Sequence, residues 1–380
     1  MATVELAEVF APGEFIQEEL EARGWTQSEL AEIMGRDTAL VSAIISGKRA
    51  ITPETARDLG EAFGTGGQFW LNLEAAYRYS RIDPTDTVSR RAKLYSQAPI
   101  QQMVRRGWIS EDAPKDIAKL EKQYKRFFGV SSVDEELALL AHAARKSSNY
   151  NSVTIEERAW LYRARNMAKL LACNSFSTSA LNSALCEVKA LLLSPEEIRK
   201  LPGILQKAGI RLLILENLTK TKIDGACFWL NNASPVIALS LRFDRIDWFW
   251  HTVLHELRHV FKREGRARAI VDTALDQSGS ADERPEQEIN ADRKAAAFMV
   301  PPDQLMDFIV RVKPFYSKTK IKGFAQRLGV HPGIVVGQLQ YRGEISYAHN
   351  REMLAPIKDI ITSTALTDGW GDVAPADGEK

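Results

Sequence analysis

The sequence predicts a mainly helical chain, with an all-α N-terminal domain and further helices leading into an α+β C-terminal domain. Three observations carry this prediction. Residues 13–80 break into short segments of helical periodicity, opened by capping residues and closed by glycines. Residues 83–171 are mostly Leu/Ala-rich helical runs separated by polar turns. Past Arg211 the apolar runs shorten and are bounded by Asn, Gly and Pro, which reads as strands, before two longer helices return.

Taken in order, Glu14 to Arg23 sets Phe15, Ile16, Leu20 and Ala22 on an apolar face and stops at Gly24. Thr26-Gln27-Ser28-Glu29 spells a capping box for a helix that buries Leu30, Ile33 and Met34 and is halted by Gly35. Asp37 caps a third helix, which turns Leu40, Val41, Ile44 and Ile45 inward. Glu135 to Ala144 and Ile155 to Leu171 read as helices, with Lys146-Ser147-Ser148-Asn149 as a polar turn. Arg211 to Leu215, Gly225 to Leu230 and Val236 to Leu239 form a small sheet. Asp247 is the expected N-cap of a buried helix reaching Phe261, and Glu286 to Met299 ends where Pro301-Pro302 forbids continuation. The polar, Gly/Asp-rich end predicts disorder. Four segments follow: 1–80, a small helical domain; 81–175, a helical connecting or dimerising layer without chemistry; 176–365, an α+β domain closed by a helical segment; and 366–380, a disordered tail.

At 380 residues the chain has room for two or three cores, and 45% hydrophobic with 26% charged residues is ordinary for a globular protein. A net charge of +1 makes no case for or against nucleic acid. Cys173, Cys186 and Cys227 share no CxxC spacing, which argues against a disulfide framework and a thiolate metal site. The first residues lack a basic stretch followed by an apolar run, and no 18-residue apolar window occurs. A cytoplasmic, soluble protein without membrane association is expected.

The chemistry concentrates in His255-Glu256-Leu257-Arg258-His259. Two histidines at i and i+4 of a helix leave one face together and can chelate a tetrahedral Zn²⁺, and Glu256 then lies beside the water to be activated, as general base. Glu288 follows His259 by 29 residues, on the next helix, and completes a His₂Glu ligand set, while Asp292 accepts a hydrogen bond from the far N–H of a ligand histidine. An exposed helix with incidental histidines fits poorly. Three of the six histidines (His251, His255, His259) share this face, and Val253, Leu254, Leu257 and Val260 are apolar enough to bury the helix. His251 reads as a pocket-rim residue rather than a ligand. His331, Tyr341 and Tyr347 are oxyanion-stabiliser candidates by side-chain type only.

HELRH, the later Glu288-Ile289-Asn290-Ala291-Asp292 and the run Ala295 to Pro301 resemble the ImmA/IrrE family of bacterial metallopeptidases across roughly residues 204–347. The resemblance implies a zincin-like fold, His255, His259 and Glu288 as zinc ligands, and Glu256 as base. Two positions depart from the family pattern: Lys294 replaces an aromatic residue, and Arg258 replaces a common glycine and can narrow or charge the cleft.

In the N-terminal region, the helices at 27–34 and 38–45, joined by Gly35-Arg36-Asp37, have the lengths and tight connection of a helix-turn-helix. Thr38, Ala39 and Ser42 would face bases; Gln27, Lys48 and Arg49 would meet phosphates. By pattern alone a helical interaction domain is an equal reading. The stretch from Pro12 to Arg78, with WTQSELA, SGKRAITP and FWLNL, resembles the HigA-type helix-turn-helix of the XRE superfamily, the DNA-binding antitoxins of toxin–antitoxin pairs.

Together these imply a cytoplasmic transcriptional regulator, a homodimer on an operator, whose zinc endopeptidase domain cleaves a helix-turn-helix repressor or the chain itself. The alternative is a HigA-type antitoxin and autorepressor, in which the zincin domain is a sensor or binds a cognate toxin with little turnover. Ile321 to Tyr347 has helix-turn-helix-like spacing around Gly329, but its apolar Ile334, Val335, Val336 and Leu339 favour packing on the peptidase core.

Overall fold

The computed structural model describes residues 10–81, 86–135, 137, 145–146, 153–267, 269–273 and 285–370. The chain divides into two compact units, Met1–Asp86 and Thr87–Lys380. Among the described residues no helix is long and apolar enough to cross a membrane.

The first unit holds five helices: α1 (Pro12–Arg23), α2 (Gln27–Ile33), α3 (Thr38–Ile45), α4 (Pro53–Phe63) and α5 (Gly67–Ser80). Local chemistry sets their ends. Gly24 leaves α1 at φ 66°, Thr26 and Glu29 form the reciprocal capping box of α2, and Asp37 caps α3 by accepting from the Ala39 N–H at 2.8 Å. The core joins Ile16, Leu20, Leu30, Val41, Ile44, Leu59 and Trp70. Gly13 lets α1 meet α3, because a Cβ there would lie 1.9 Å from the Ile45 carbonyl oxygen. Ile33 departs from expectation. Two residues past buried Ala31, it emerges on the opposite side of α2 and is 51% exposed; Met34, Leu40 and Ile45 are only partly buried.

The second unit begins with α6 (Thr87–Gln97), α7 (Ile100–Arg105), α8 (Ile117–Phe128) and α9 (Ile155–Leu170). It continues through α10 (Thr178–Leu191), α11 (Leu201–Lys207), α12 (Ile246–Phe261), α13 (Glu286–Met299), α14 (Pro302–Val312), α15 (Lys318–Leu328), α16 (Pro332–Tyr341) and α17 (Lys358–Thr362). Its strands are β1 (Arg145–Lys146), β2 (Arg211–Leu215), β3 (Ile223–Trp229), β4 (Pro235–Leu239), β5 (Ile270–Thr273) and β6 (Leu366–Asp368). They form one sheet in the order β1-β5-β3-β4-β2-β6, with β3 antiparallel to both β4 and β5.

The sheet is buried on both faces, and the two-residue strand period assigns each side chain to a layer. Leu213, Leu215, Ala226, Phe228, Val236, Ala238 and Val271 pack with Trp160, Leu161, Ala164 and Met167 of α9. Leu212, Ile214, Cys227, Trp229, Ile237 and Leu239 join the core of α12, which contributes Phe249, Trp250, Val253 and Leu257. Each of those α12 side chains adds about 1.5–3 kcal/mol by leaving water. Ile321, Phe324, Ile334, Val335, Val336 and Leu339 belong to the same core, so α15 and α16 pack where the apolar pattern directed them.

Three differences have physical reasons. Helix α9 is no separate connecting layer: its apolar face covers the sheet, and α6–α9 belong to the compact unit that holds the sheet. The predicted helix Glu135 to Ala144 falls almost wholly outside the described residues, and within the turn expected at 146–149 only Lys146 is described, in β1. Residues 366–370, expected to be part of a disordered tail, are ordered: Leu366–Asp368 pairs with β2 and buries Asp368 completely. Asp368 accepts from Trp108 Nε1 at 2.9 Å and pairs with Arg106 at 2.9 Å and Arg163 at 2.5 Å. Residues 371–380 lie outside the described residues.

Candidate functional site

Helix α12 starts two positions before the sequence reading, with Arg245 as N-cap. Asp247, the expected cap, is inside the first turn instead. Its carboxylate bonds Arg245 and fills the space beside Gly337, where a Cβ would approach within 2.2 Å. From this helix His255, Glu256 and His259 are fully buried. Helix α13 crosses α12 and brings Glu288, 4% exposed, to the same point.

The histidine orientations are set from behind. His255 Nδ1 lies 2.8 Å from Asp292 Oδ1, and His259 Nδ1 lies 2.6 Å from Glu264 Oε2. Each Nδ1–H donates to a carboxylate, so in the neutral rings both Nε2 atoms present lone pairs to the interior. Those two Nε2 atoms are 3.0 Å apart, and Glu288 Oε2 stands 3.1 Å from one and 3.5 Å from the other. Lone pairs and a carboxylate converging in a dry interior repel one another unless a cation lies between them.

A further carboxylate enters from the sheet. Asp272 on β5 is fully buried, with Oδ2 3.2 Å from His255 Nε2 and 3.9 Å from His259 Nε2. Strand pairing explains its direction: Asp272 stands opposite Gly225 of β3, beside a bulge between Ile223 and Gly225. Two residues from Cys227, Gly225 belongs to the α12 face of the sheet. Its missing side chain makes room, since a Cβ there would lie 2.1 Å from Glu256 Oε1. Neither oxygen of Glu256 or Asp272 accepts a hydrogen bond among the described residues. His255, His259, Asp272 and Glu288 offer four donor atoms within 4.8 Å of one another, a group that can hold a metal ion.

The proton affinities report the same excess of negative charge. Burial alone would lower His255, but Asp272, Asp292 and Glu288 outweigh it and raise it well above its ordinary value. His259 likewise rises to about 10, burial being overcome by Glu264, Glu288 and Asp272. Glu256 is pushed well above the usual carboxylate range by burial and by the Asp272 charge. Asp272 and Asp292 lie below that range despite burial, held there chiefly by His255 beside Asp272 and by His251 and His255 beside Asp292.

His251 stays at the rim, 3.2 Å from Asp292 Oδ1. With Trp248, Asp292, Ile334 and Tyr341 it lines a cleft of about 440 Å³, which His255, His259 and Glu288 do not reach. An open depression of about 480 Å³, walled by Arg263, Glu264, Arg266 and Ile270, flanks β5 on another side. Arg258 bonds Asn290 at 3.3 Å and lies over the Phe261 ring. Of the oxyanion candidates, His331 is half-buried as the N-cap of α16, accepting from the Gly333 N–H at 3.1 Å, and Tyr341 and Tyr347 are exposed. Sequence reasoning missed Asp272, Glu264 and Gly225. The only sequence trace of Asp272 is the short run Ala269 to Thr273, which alternates sides about Val271.

In the first unit Thr38, Ala39 and Ser42 are exposed on α3, Lys48 and Arg49 are exposed just after it, and Gln27 is half-buried at the start of α2. Arg36, between the two helices, is held on Asp58 by bonds of 2.9 and 2.7 Å. Residues 16–70 match the helix-turn-helix family. The HTH-type transcriptional regulator YddM of Escherichia coli strain K12 is 36% identical over 86 residues, which are 23% of this chain and 92% of that protein. The chain belongs to the helix-turn-helix family. A second relative of this helix-turn-helix protein, virulence-associated protein A of Dichelobacter nodosus, is 39% identical over 66 residues, 17% of this chain and 65% of its own length. Among solved structures, an addiction module antidote protein of the HigA family from Coxiella burnetii shares 39% identity over 19% of this chain and 80% of that one, with a TM-score of 0.19.

Proposed function

We propose that this helix-turn-helix protein is a DNA-binding transcriptional regulator whose second unit carries a zinc-dependent endopeptidase centre, acting on a helix-turn-helix repressor or on the chain itself. The observation that carries the peptidase reading is the convergence of His255 Nε2, His259 Nε2 and Glu288 Oε2 beside the buried Glu256. Their separations of 3.0, 3.1 and 3.5 Å bracket the edge of about 3.3 Å that zinc–ligand bonds of about 2.0–2.1 Å give a tetrahedron. Two imidazoles with a carboxylate, and no thiolate, suit zinc.

Zinc there would polarise a peptide carbonyl and make water acidic enough to attack at neutral pH. Glu256 would take the proton of the attacking water on its carboxylate and deliver it to the leaving amine nitrogen. Asp292 and Glu264 hold the two imidazoles with their Nε2 atoms inward. DNA binding is supported by family membership, by exposed Thr38, Ala39 and Ser42 at the start and middle of α3, and by Lys48 and Arg49 beside it.

Three measurements test this. Purified full-length protein should hold one zinc per chain by elemental analysis, and Glu256→Gln should keep the zinc while losing cleavage of a co-encoded repressor or of the chain. Absence of zinc from the wild-type chain overturns the peptidase reading. On operator DNA, Lys48→Ala with Arg49→Ala should weaken binding on every sequence and flatten the salt dependence by about 0.9 per phosphate contact.

A second reading, an antitoxin-like autorepressor whose metal centre senses rather than cleaves, is favoured by the complete burial of His255, Glu256 and His259. A Glu256→Gln chain that regulates its operator as the wild type does would select it.

A further inference from the structure

Peptidase chemistry needs two vacancies, a coordination position for the attacking water and a free strand edge on which an extended substrate can be pinned. In this chain both are taken by its own residues. Asp272 Oδ2 stands 3.2 Å from His255 Nε2, close to a tetrahedral edge, and 3.9 Å from His259 Nε2, somewhat beyond one, and the Asp272 carboxylate is fully buried without accepting a hydrogen bond among the described residues. A carboxylate in that setting is costly unless a cation binds it. Beyond Asp272, the outer edge of β5 is closed by β1, whose Arg145 and Lys146 pair in parallel with Ile270 and Val271.

We propose that Asp272 is the fourth protein ligand of the metal, so that the resting centre is a closed His₂GluAsp site and turnover requires Asp272 to withdraw. The inference rests on the metal-centre reading above and deepens it to regulation. Three protein ligands leave a catalytic position open, whereas four make a centre of the structural kind. The ligand exchange is balanced: the carboxylate leaves, a water takes its position, and no electron is transferred. Asp272 lies on the face of β5 directed at α12, and among the described residues that strand's outer edge is covered by the two-residue β1. A one-residue shift of β5 against β3 would turn the carboxylate to the other face of the sheet, and loss of the β1 pairing would free the strand's outer edge. A peptide segment that replaces β1 on this edge is the chemistry that would open the centre.

The test uses full-length protein loaded with Co²⁺, comparing the wild type with Asp272→Ala and with the near-isosteric Asp272→Asn. Both variants should still bind one metal per chain, with affinity about 10-fold or more weaker, in the range expected when a metal-site interaction is lost. Azide should leave the wild-type cobalt spectrum unmoved and shift that of Asp272→Ala, because only the variant has an open position. Cleavage by the zinc-loaded Asp272→Ala chain should rise. Equal affinities together with a wild-type spectrum that azide shifts would overturn the assignment of Asp272. These failures are separable from failure of the parent reading. If His255→Ala does not abolish metal binding, the centre itself is wrong. If azide opens only the Asp272 variants but no Glu256-dependent cleavage appears, the ligand assignment stands and the peptidase reading falls.

Discussion

The second unit buries two clusters of charge, and they are balanced in opposite ways. Around Asp368, carboxylate meets cation: Arg106 bridges Glu216 and Asp368, Arg163 pairs with Asp368 from a site only 2% exposed, and the Trp108 indole donates the remaining bond. Around His255, carboxylates meet imidazoles in place of permanently charged guanidiniums. Glu256, Asp272, Glu288 and Glu264 gather without a lysine or arginine bonded to any of these four among the described residues. The first cluster is complete and holds a sheet edge to its helices. Among the described residues the second has no lysine or arginine at its middle, and that surplus of carboxylates marks a candidate cation site better than any of its residues taken singly.

The sharpest way to break the contrast is to remove a proposed ligand. His255→Ala or Glu288→Ala should take bound metal from about one per chain to none by elemental analysis. Chelation of the wild type should lower the melting temperature of the second unit by roughly 10 °C, from a linkage of about 4 kcal/mol at a metal concentration a thousandfold above its dissociation constant. Asp368→Ala should act the other way round. Breaking the buried ion pairs of Asp368 with Arg163 and Arg106 should cost about 3–5 kcal/mol in denaturant melts, with metal content and chelator sensitivity unchanged. If Asp368→Ala also empties the metal site, the clusters are not independent.

A subtler change addresses space rather than charge. Gly225→Ala puts a methyl where Glu256 Oε1 lies, so it should cost about 1–3 kcal/mol of overpacking, keep the metal and abolish Glu256-dependent cleavage. Retained cleavage would remove Glu256 from its assigned role. The smallest effect concerns a surface counterpart of the buried clusters, Arg36 with Asp58 in the helix-turn-helix. Partial burial opposes ionisation, but the Arg36 and Arg57 guanidiniums hold the Asp58 carboxyl below its ordinary value. A depressed folded value means the pair stabilises above about pH 4 and fades as pH falls through the lower folded value. Asp58→Asn should therefore lose about 1 kcal/mol or less at neutral pH and flatten the acid limb of the melting curve.

Legibility followed the distance along the chain over which each feature is decided. His255, Glu256 and His259 are one helical turn, so their common face follows from the helix repeat alone, and Glu288 and Asp292 share theirs for the same reason. Thr26 with Glu29, Asp37 and Gly24 act on backbone groups within a few residues of themselves. Asp247 was misread because capping requires knowing where α12 begins, and that is set by Arg245, Gln340 and the packing against Gly337. Ile33 looked like a core residue by type, yet α2 exposes the side on which it sits.

The sequence by itself determined the helix-turn-helix with its caps and the pair of helices that carry His255, His259 and Glu288, since each depends on side chains bonding their own neighbourhood. Only the tertiary structure decided that Leu366–Asp368 completes the sheet, that α9 covers one of its faces, and that Asp272 meets the histidines from β5. Those are matters of strand register, where a shift of one residue would send Asp272 to the other face, and the partners that set the register lie tens to more than a hundred residues away.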